Sequence, residues 1–269
     1  MVFIIQGDVM EKFFKKVFAI MYRLLAVAIF LLIWEIVSRL ELVDPVFLPP
    51  FSKVLAALGD LIISGELFKH IAVSLQRSII GFCLGLVFAV PLGLVIGWFK
   101  GFEYFVDPLL QAFRQTSTLA LFPVFILLFG IGEVSKVAII FWGVQWPILL
   151  STIAGVKNVD PILIKSARSM GTSPCTLFIK VIIPASIPSI FTGIRLSATT
   201  SILVLIAAEM IGANAGLGFL LYDAEVKYKI PTMYASIITM SLLGLILNYI
   251  LVAMEKRVTH GKEDLSTRI

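Results

Sequence analysis

Few side chains in this sequence could do chemistry, and most of them stand inside apolar runs. Glu35, Arg195 and Glu209 are ionisable residues within or near the ends of such runs. A charge at the centre of a bilayer costs about 2.5–3.5 kcal/mol on insertion scales, so each must reach an interface, find a partner or serve a function. Glu35 and Glu209 lie near run ends and read first as structural. Glu209 also precedes the Gly-rich "IGANAGLG", which gives it a second reading as part of an outer gate. Arg195 reads as a snorkelling side chain or one that bonds helix-end carbonyls. Gln145 lies between Trp142 and Trp146, and Thr199, Thr200 and Ser201 are consecutive. Such neutral polar groups either bond between helices and back to their own carbonyls, or line a translocation cavity. Lining a cavity, they would offer donors without a deep fixed charge, whose tight binding would stall release.

Other chemistries find no constellation. His70 and His260 stand alone, far from Cys83 and Cys175, so no zinc-ligand spacing occurs. The two cysteines read as small apolar fillers rather than a disulfide. No G-x-x-x-x-G-K-[ST] sequence is present, and "HGKED" near the C-terminus lacks a preceding glycine loop. The chain therefore has no nucleotide site or cofactor of its own. Its net charge of +5 is modest and unclustered, which suits anionic lipid and not nucleic acid.

The elements that must position these residues are membrane spans. Apolar residues make up 59% of the chain and charged ones 14%, against roughly 45–50% and 25% in soluble domains. A soluble all-helical protein fits this balance poorly. About six runs are long enough to cross a bilayer: 24–40, 79–99, 110–129, 134–156, 187–211 and 233–254. An all-α membrane protein is expected, with a membrane domain over 24–254 and tails at 1–23 and 255–269. Lys12, Lys15, Lys16 and Arg23 precede the first run like the basic start of a signal peptide. That run is too long for a signal core and has no small-residue cleavage site, so it reads as an uncleaved span. Met10 could be the native start, with residues 1–9 either a mis-assigned extension or a loose tail. The Lys and Arg residues of the 157–186 segment and of the C-terminal tail place that segment and both termini in the cytoplasm.

Two stretches between spans are informative. After Pro49 and Pro50, Val54, Leu55, Leu58, Leu61 and Ile62 recur at helical spacing. This predicts a short interfacial helix, capped by Ser52 and ended by Gly65. In the second span Gly81, Gly85, Ala89, Gly93 and Gly97 form a ladder of small residues four apart. Small residues let helix backbones approach closely in lipid. The ladder predicts a packed face, within the subunit or at a pathway or subunit seam, and Pro91 predicts a kink.

The polar stretch "KSARSMGTSPCTLFIKVIIPASIPSI" follows "NVDP". Asp160 and Pro161 suit the cap and first position of a helix that Gly171 closes. Ser173 and Pro174 repeat the pair for a second helix, which Pro184 should stop at or before Ile183. Ser166, Ala167 and Gly171 predict a low, open surface on the first helix where another protein could dock.

The spacing from Ser166-Ala167 through Gly171 to "VIIP" resembles the EAA loop of ABC importer permeases. "LPPFSKVLAAL", "LALFPVFILLFGIGEVSK", "WPILLSTIAGVKNVDP" and "AAEMIGANAGLGFLLYDA" are similar to the nitrate/sulfonate/taurine-type subfamily. The resemblance implies a type I importer permease fold in a bacterial inner membrane. It implies that Lys165, Ser166, Ala167, Arg168, Ser169, Met170, Gly171 and Pro184 belong to coupling helices that meet a cytoplasmic ATPase, which binds ATP and Mg. It also implies a second permease copy, an expected homodimer, and an extracytoplasmic substrate-binding protein. The chain departs from the pattern in two places. Lys165 stands where the motif often has Glu, and Thr116-Ser117-Thr118 stands where the subfamily usually has prolines. A gradient-driven transporter or channel is the alternative; it should show internal repeats or charged midplane residues, and neither is evident.

Overall fold

Helices account for almost all of the architecture. The computed structural model describes residues 18, 21–22 and 25–259, and no strand occurs among them. A first helix, α1, covers 25–39. It is followed by α2 (Phe51–Ile63), α3 (Glu66–Trp98), α4 (Lys100–Gln115), α5 (Phe122–Phe129) and α6 (Glu133–Lys157). Two short helices, α7 (Pro161–Ser169) and α8 (Pro174–Leu177), precede α9 (Ile183–Met210), α10 (Leu217–Val226) and α11 (Ile230–Thr259).

Among the described residues, four helical stretches are long and apolar enough to span a membrane: Glu66–Trp98, Glu133–Lys157, Pro174–Met210 and Ile230–Arg257. The expected span at 24–40 lies partly outside the described residues, and its described part is helical. The expected straight span at 110–129 is broken instead. The chain bends by 85° between Lys100–Gln115 and Leu119–Phe129. Thr116 is extended at the bend, with ψ 123, and Pro123 starts the next helix, where its missing N–H costs nothing. Hydropathy alone cannot register such a bend, because both arms are apolar. The span expected near 79 begins at Glu66 and runs unbroken through Pro91. The basic residues expected in the N-terminal tail, and residues 1–9, lie outside the described residues.

The ladder on α3 explains the core. Its small residues meet Ile140, Val144, Thr152 and Val156 of α6, themselves at helical spacing. A Cβ added at Gly81 would lie 2.7 Å from Ile140 Cγ2, and one at Gly93 2.7 Å from Thr152 Cβ. On the other side of α6, a Cβ at Gly193 of α9 would lie 2.7 Å from Ser151 Cβ. Helix α6 is thus the centre of a three-helix sandwich, with Ala89, Ile139, Ile140, Val144, Ile148 and Leu205 buried in it. The ladder serves packing within the chain. Large apolar side chains such as Val87, Leu203 and Leu245 face outward, as a bilayer solvent permits.

The remaining helices pack as a satellite around Val54, Leu67, Leu217, Leu220 and Ala235. Trp34 Nε1 of α1 donates to Pro49 O at 3.0 Å, and Tyr234 Oη of α11 donates to Phe47 O at 3.1 Å. Helix α2 exists as expected, but Ser52 is not its cap. Pro50 holds that position. Ser52 lies in the first turn, where its N–H and hydroxyl donate to Glu35 at 3.0 and 2.9 Å. Glu35 is therefore structural: it supplies from α1 the oxygen that a capping side chain would give. Cys83 and Cys175 are free, and both are exposed rather than buried as fillers.

Candidate functional site

The α7–α8 hairpin forms where local sequence demands it. Asp160 Oδ1 accepts from Ile162 N at 2.7 Å, and Pro161 opens the helix. Gly171 closes it at φ +75, the left-handed conformation that lets Thr172 N donate to Ala167 O at 3.2 Å. Ser173 Oγ then accepts from Thr176 N at 3.3 Å to start α8. The helix does not stop at Pro184 as expected. A π-turn over Phe178–Ile182 joins α8 to α9, so the chain is helical from Pro174 to Met210. The wider turn absorbs the backbone conflict that Pro184, at the start of α9, would create in a regular α-helix.

The hairpin is anchored on one side only. Trp98 and Phe178 meet at 5.0 Å, beside Val156, Val159 and Ile182. Ala167 is buried, not part of an open surface, and Ile164 is the α7 residue that packs on this anchor. Lys165, Ser166, Arg168, Ser169, Met170 and Gly171 are exposed, and Pro184 is half-buried. Ile162 and Met170 are 69% and 77% exposed. The outward surface is thus a mixed apolar and basic patch at one end of the bundle.

At the opposite end lies an ionic network in which Arg77, Lys136 and Glu209 are buried and the Glu133 side chain is exposed. Residue 77 is 21 positions before Trp98 on α3, about 30 Å along the axis. Arg77 donates to Glu133 of α6 through Nε and Nη2, to Glu209 Oε1 at 2.8 Å and to Ala215 O at 2.6 Å. Glu209 also accepts from Ser74 Oγ at 2.8 Å and from Gly218 N at 2.9 Å. Ser74 Oγ accepts from Leu217 N at 2.8 Å, and His70 Nδ1 from Gly216 N at 3.0 Å. Lys136 Nζ donates to Gly132 O and Gly212 O at 3.0 and 3.3 Å. Two acids and two bases balance one another, and the backbone of 212–218 is tied down between them. Gly216 has φ +120, and a Cβ there would strike the Glu209 carboxylate. The glycines of "IGANAGLG" thus let the loop wrap closely around that carboxylate.

Sequence reasoning missed Arg77, Ser74, His70 and Glu133. The signal was present: positions 70, 74, 77 and 78 prolong the same α3 stripe as the glycine ladder. Arg195 was expected to find carbonyls or solvent, but Nη1 pairs with Glu255 Oε2 of α11 at 3.0 Å.

The expected pathway residues are not brought together. Gln145 is buried on α6. Thr199 lines a groove of about 350 Å³ with Ile202, Ile237, Ser241 and Gly244. Thr200 Oγ1 donates back to Leu196 O at 3.2 Å. Ser201 shares a 2.7 Å hydrogen bond with Ser78 of α3. Glu209 sits in the ionic network.

Comparison with known proteins completes this picture. Residues 81–260 match the family model described as binding-protein-dependent transport system inner membrane component. The chain is 34% identical over 244 residues to SsuC of Bacillus subtilis (strain 168), a permease protein assigned to aliphatic sulfonate transport, covering 91% of this chain and 88% of that one. It is 33% identical over 242 residues to the taurine transport system permease protein TauC of Escherichia coli (strain K12), covering 87% and 88%. A solved inward-facing structure of the MetNI methionine ABC transporter shares the fold, with a TM-score of 0.64 at 17% identity over 73% of this chain and 98% of that one. The chain belongs to the family of inner membrane components of binding-protein-dependent transport systems.

Proposed function

We propose that this chain is the membrane permease of an ATP-driven importer for a small sulfonate-like or other oxyanion solute. It works as a homodimer in a bacterial cytoplasmic membrane, with both termini inside. An extracytoplasmic binding protein delivers the solute, and separate ATPase subunits hold ATP and Mg. The observation that carries this reading is the α7–α8 hairpin, a rigid apolar and basic patch joined directly to a core helix. Its exposed side chains suit insertion into a groove of an ATPase, and the π-turn passes its displacement to α9. The sulfonate class follows from the SsuC and TauC relatives. The chain performs no covalent step; it provides a two-state pathway and transmits force.

Uptake of taurine or ethanesulfonate into proteoliposomes bearing the full complex tests the proposal. Uptake should vanish when the ATPase is made catalytically dead. Persistence of uptake would overturn the proposal in favour of gradient-driven transport. Lys165 is expected to face a carboxylate or polar group of the ATPase. Lys165→Glu should then lower transport-coupled ATP hydrolysis several-fold, and unchanged coupling would remove that pairing.

A further inference from the structure

Among the described residues, Trp142 Nε1 and Trp146 Nε1 are buried side-chain polar atoms with no hydrogen-bond partner. An indole nitrogen is a donor only. Folded proteins leave few buried donors unsatisfied, and such exceptions call for a physical reason. These two lie one helical turn apart at the middle of α6, with ring centroids 5.3 Å apart. They are midway between the hairpin and the ionic network. Phe113 of α4 touches both rings at 5.7 and 6.4 Å, and Phe125 of α5 touches Trp142 at 6.3 Å. The cover over the indoles is therefore the broken α4–α5 pair, whose 85° elbow carries Thr116, Ser117 and Thr118. A Cβ on Gly143 would lie 3.2 Å from Thr118 Cγ2, so the elbow rests on the same turns of α6.

The α4 arm of this cover is lightly held, whereas the α5 arm is anchored by Phe122, 2% exposed within the core. No residue of α4 is buried, and Phe113 is itself 46% exposed. Helix α6 beneath it is the centre of the core. A movement of the α4 arm that withdraws Phe113 would thus uncover two neutral donors at the middle of α6 while leaving α6 and the α5 anchor in place.

We infer that Trp142 and Trp146 form a binding step of the solute pathway, where their indole N–H groups donate to the oxygens of a transported oxyanion. This rests on the oxyanion-importer reading above. Two uncharged donors suit a transit site. They recognise acceptor oxygens, and they lack the fixed charge that would trap an anion in low dielectric. The unpaired N–H groups of the covered state then have a use in the uncovered one.

Replacing each tryptophan in turn by benzothienylalanine, which puts sulfur in place of N–H and keeps the ring, tests this in the complete complex. Trp142→Phe and Trp146→Phe serve as second variants. Uptake of taurine and ethanesulfonate should fall about tenfold per N–H removed, the weight of one hydrogen bond, while the melting temperature of the complex holds or rises. Unchanged uptake would overturn the inference, because a cation over the ring faces or simple packing is indifferent to the N–H. A parallel fall in melting temperature would also overturn it, by showing that the N–H groups are already bonded in the resting state. If the wild-type complex takes up neither probe, the oxyanion reading fails and takes this inference with it. If wild-type uptake is intact and the variants match it, this inference fails alone.

Discussion

Glu209 has no exposed side-chain surface, yet it touches residues from two other helices and a loop. Its carboxylate is the acceptor on which Ser74, Arg77 and Gly218 converge. Glu209→Ala should cost about 3–5 kcal/mol, because it leaves the buried Arg77 charge with only the exposed Glu133 as counter-ion and the Gly218 N–H without its acceptor. Chemical denaturation of the purified protein in detergent reads this directly. A loss under about 1 kcal/mol would show that Glu133 and the Ala215 carbonyl together satisfy Arg77. Glu209→Gln should fall between, since it keeps the shape but sets amide hydrogens against cationic donors. Glu209 itself was legible in the sequence as an ionisable residue near the end of an apolar run. Its partners were not, because 132 and 76 positions separate it from Arg77 and Glu133 and one sequence does not reveal which distant charges meet. The hydroxyls of Thr199, Thr200 and Ser201 show the converse. Their adjacency along the chain suggested a cluster, but successive residues on a helix point about 100° apart. They accordingly serve a groove, a backbone carbonyl and α3.

At the scale of elements, the strongest sequence signal was periodic. The ladder on α3 predicted a close helix contact, and α6 supplies it. Gly81→Ala should destabilise the protein by about 1–3 kcal/mol through overpacking against Ile140, with partial rescue by Ile140→Ala. Gly59→Ala and Gly101→Ala should be neutral or stabilising by up to about 1 kcal/mol, since nothing lies within 4 Å of either position. Thermal melts of the four variants check the contrast, and equal losses across the set would refute it. Caps were legible wherever the residue at the cap did the capping, as at Asp160 and Ser173. The rule failed at Ser52, where Glu35 on another helix supplies the acceptor. It also failed at Pro184, where a π-turn carries the helix past a residue that local rules treat as a stop. The elbow at Thr116–Thr118 was invisible for a different reason: an apolar run reports solvent preference, not direction.

At the scale of the whole molecule, the two cysteines report orientation. Cys175 is exposed on α8, and Cys83 is exposed on the outward side of α3. A charged maleimide should label Cys175 from the cytoplasmic side, and adding the ATPase should protect it. Cys83 should react only with an apolar maleimide that partitions into lipid. Labelling of Cys175 from outside would invert the proposed topology. The helical membrane class followed from hydropathy, but the number and arrangement of spans did not: about six were expected, against four among the described residues, or five if the bent pair is one span. Which helix becomes the centre depends on who matches whose small residues, and α6 carries no mark of centrality beyond Gly143 and Gly155. The continuous helix from Pro174 to Met210 is about 55 Å long. One end lies in the hairpin, and the other ends beside the clasped loop at 212–218. A rod held at both ends carries messages in both directions. If events at the hairpin alter the grip on Glu209, then anything that tightens or loosens that grip must change, by the same factor, the affinity of whatever grasps the hairpin. The loop end can therefore set the readiness of the hairpin end before any solute has crossed.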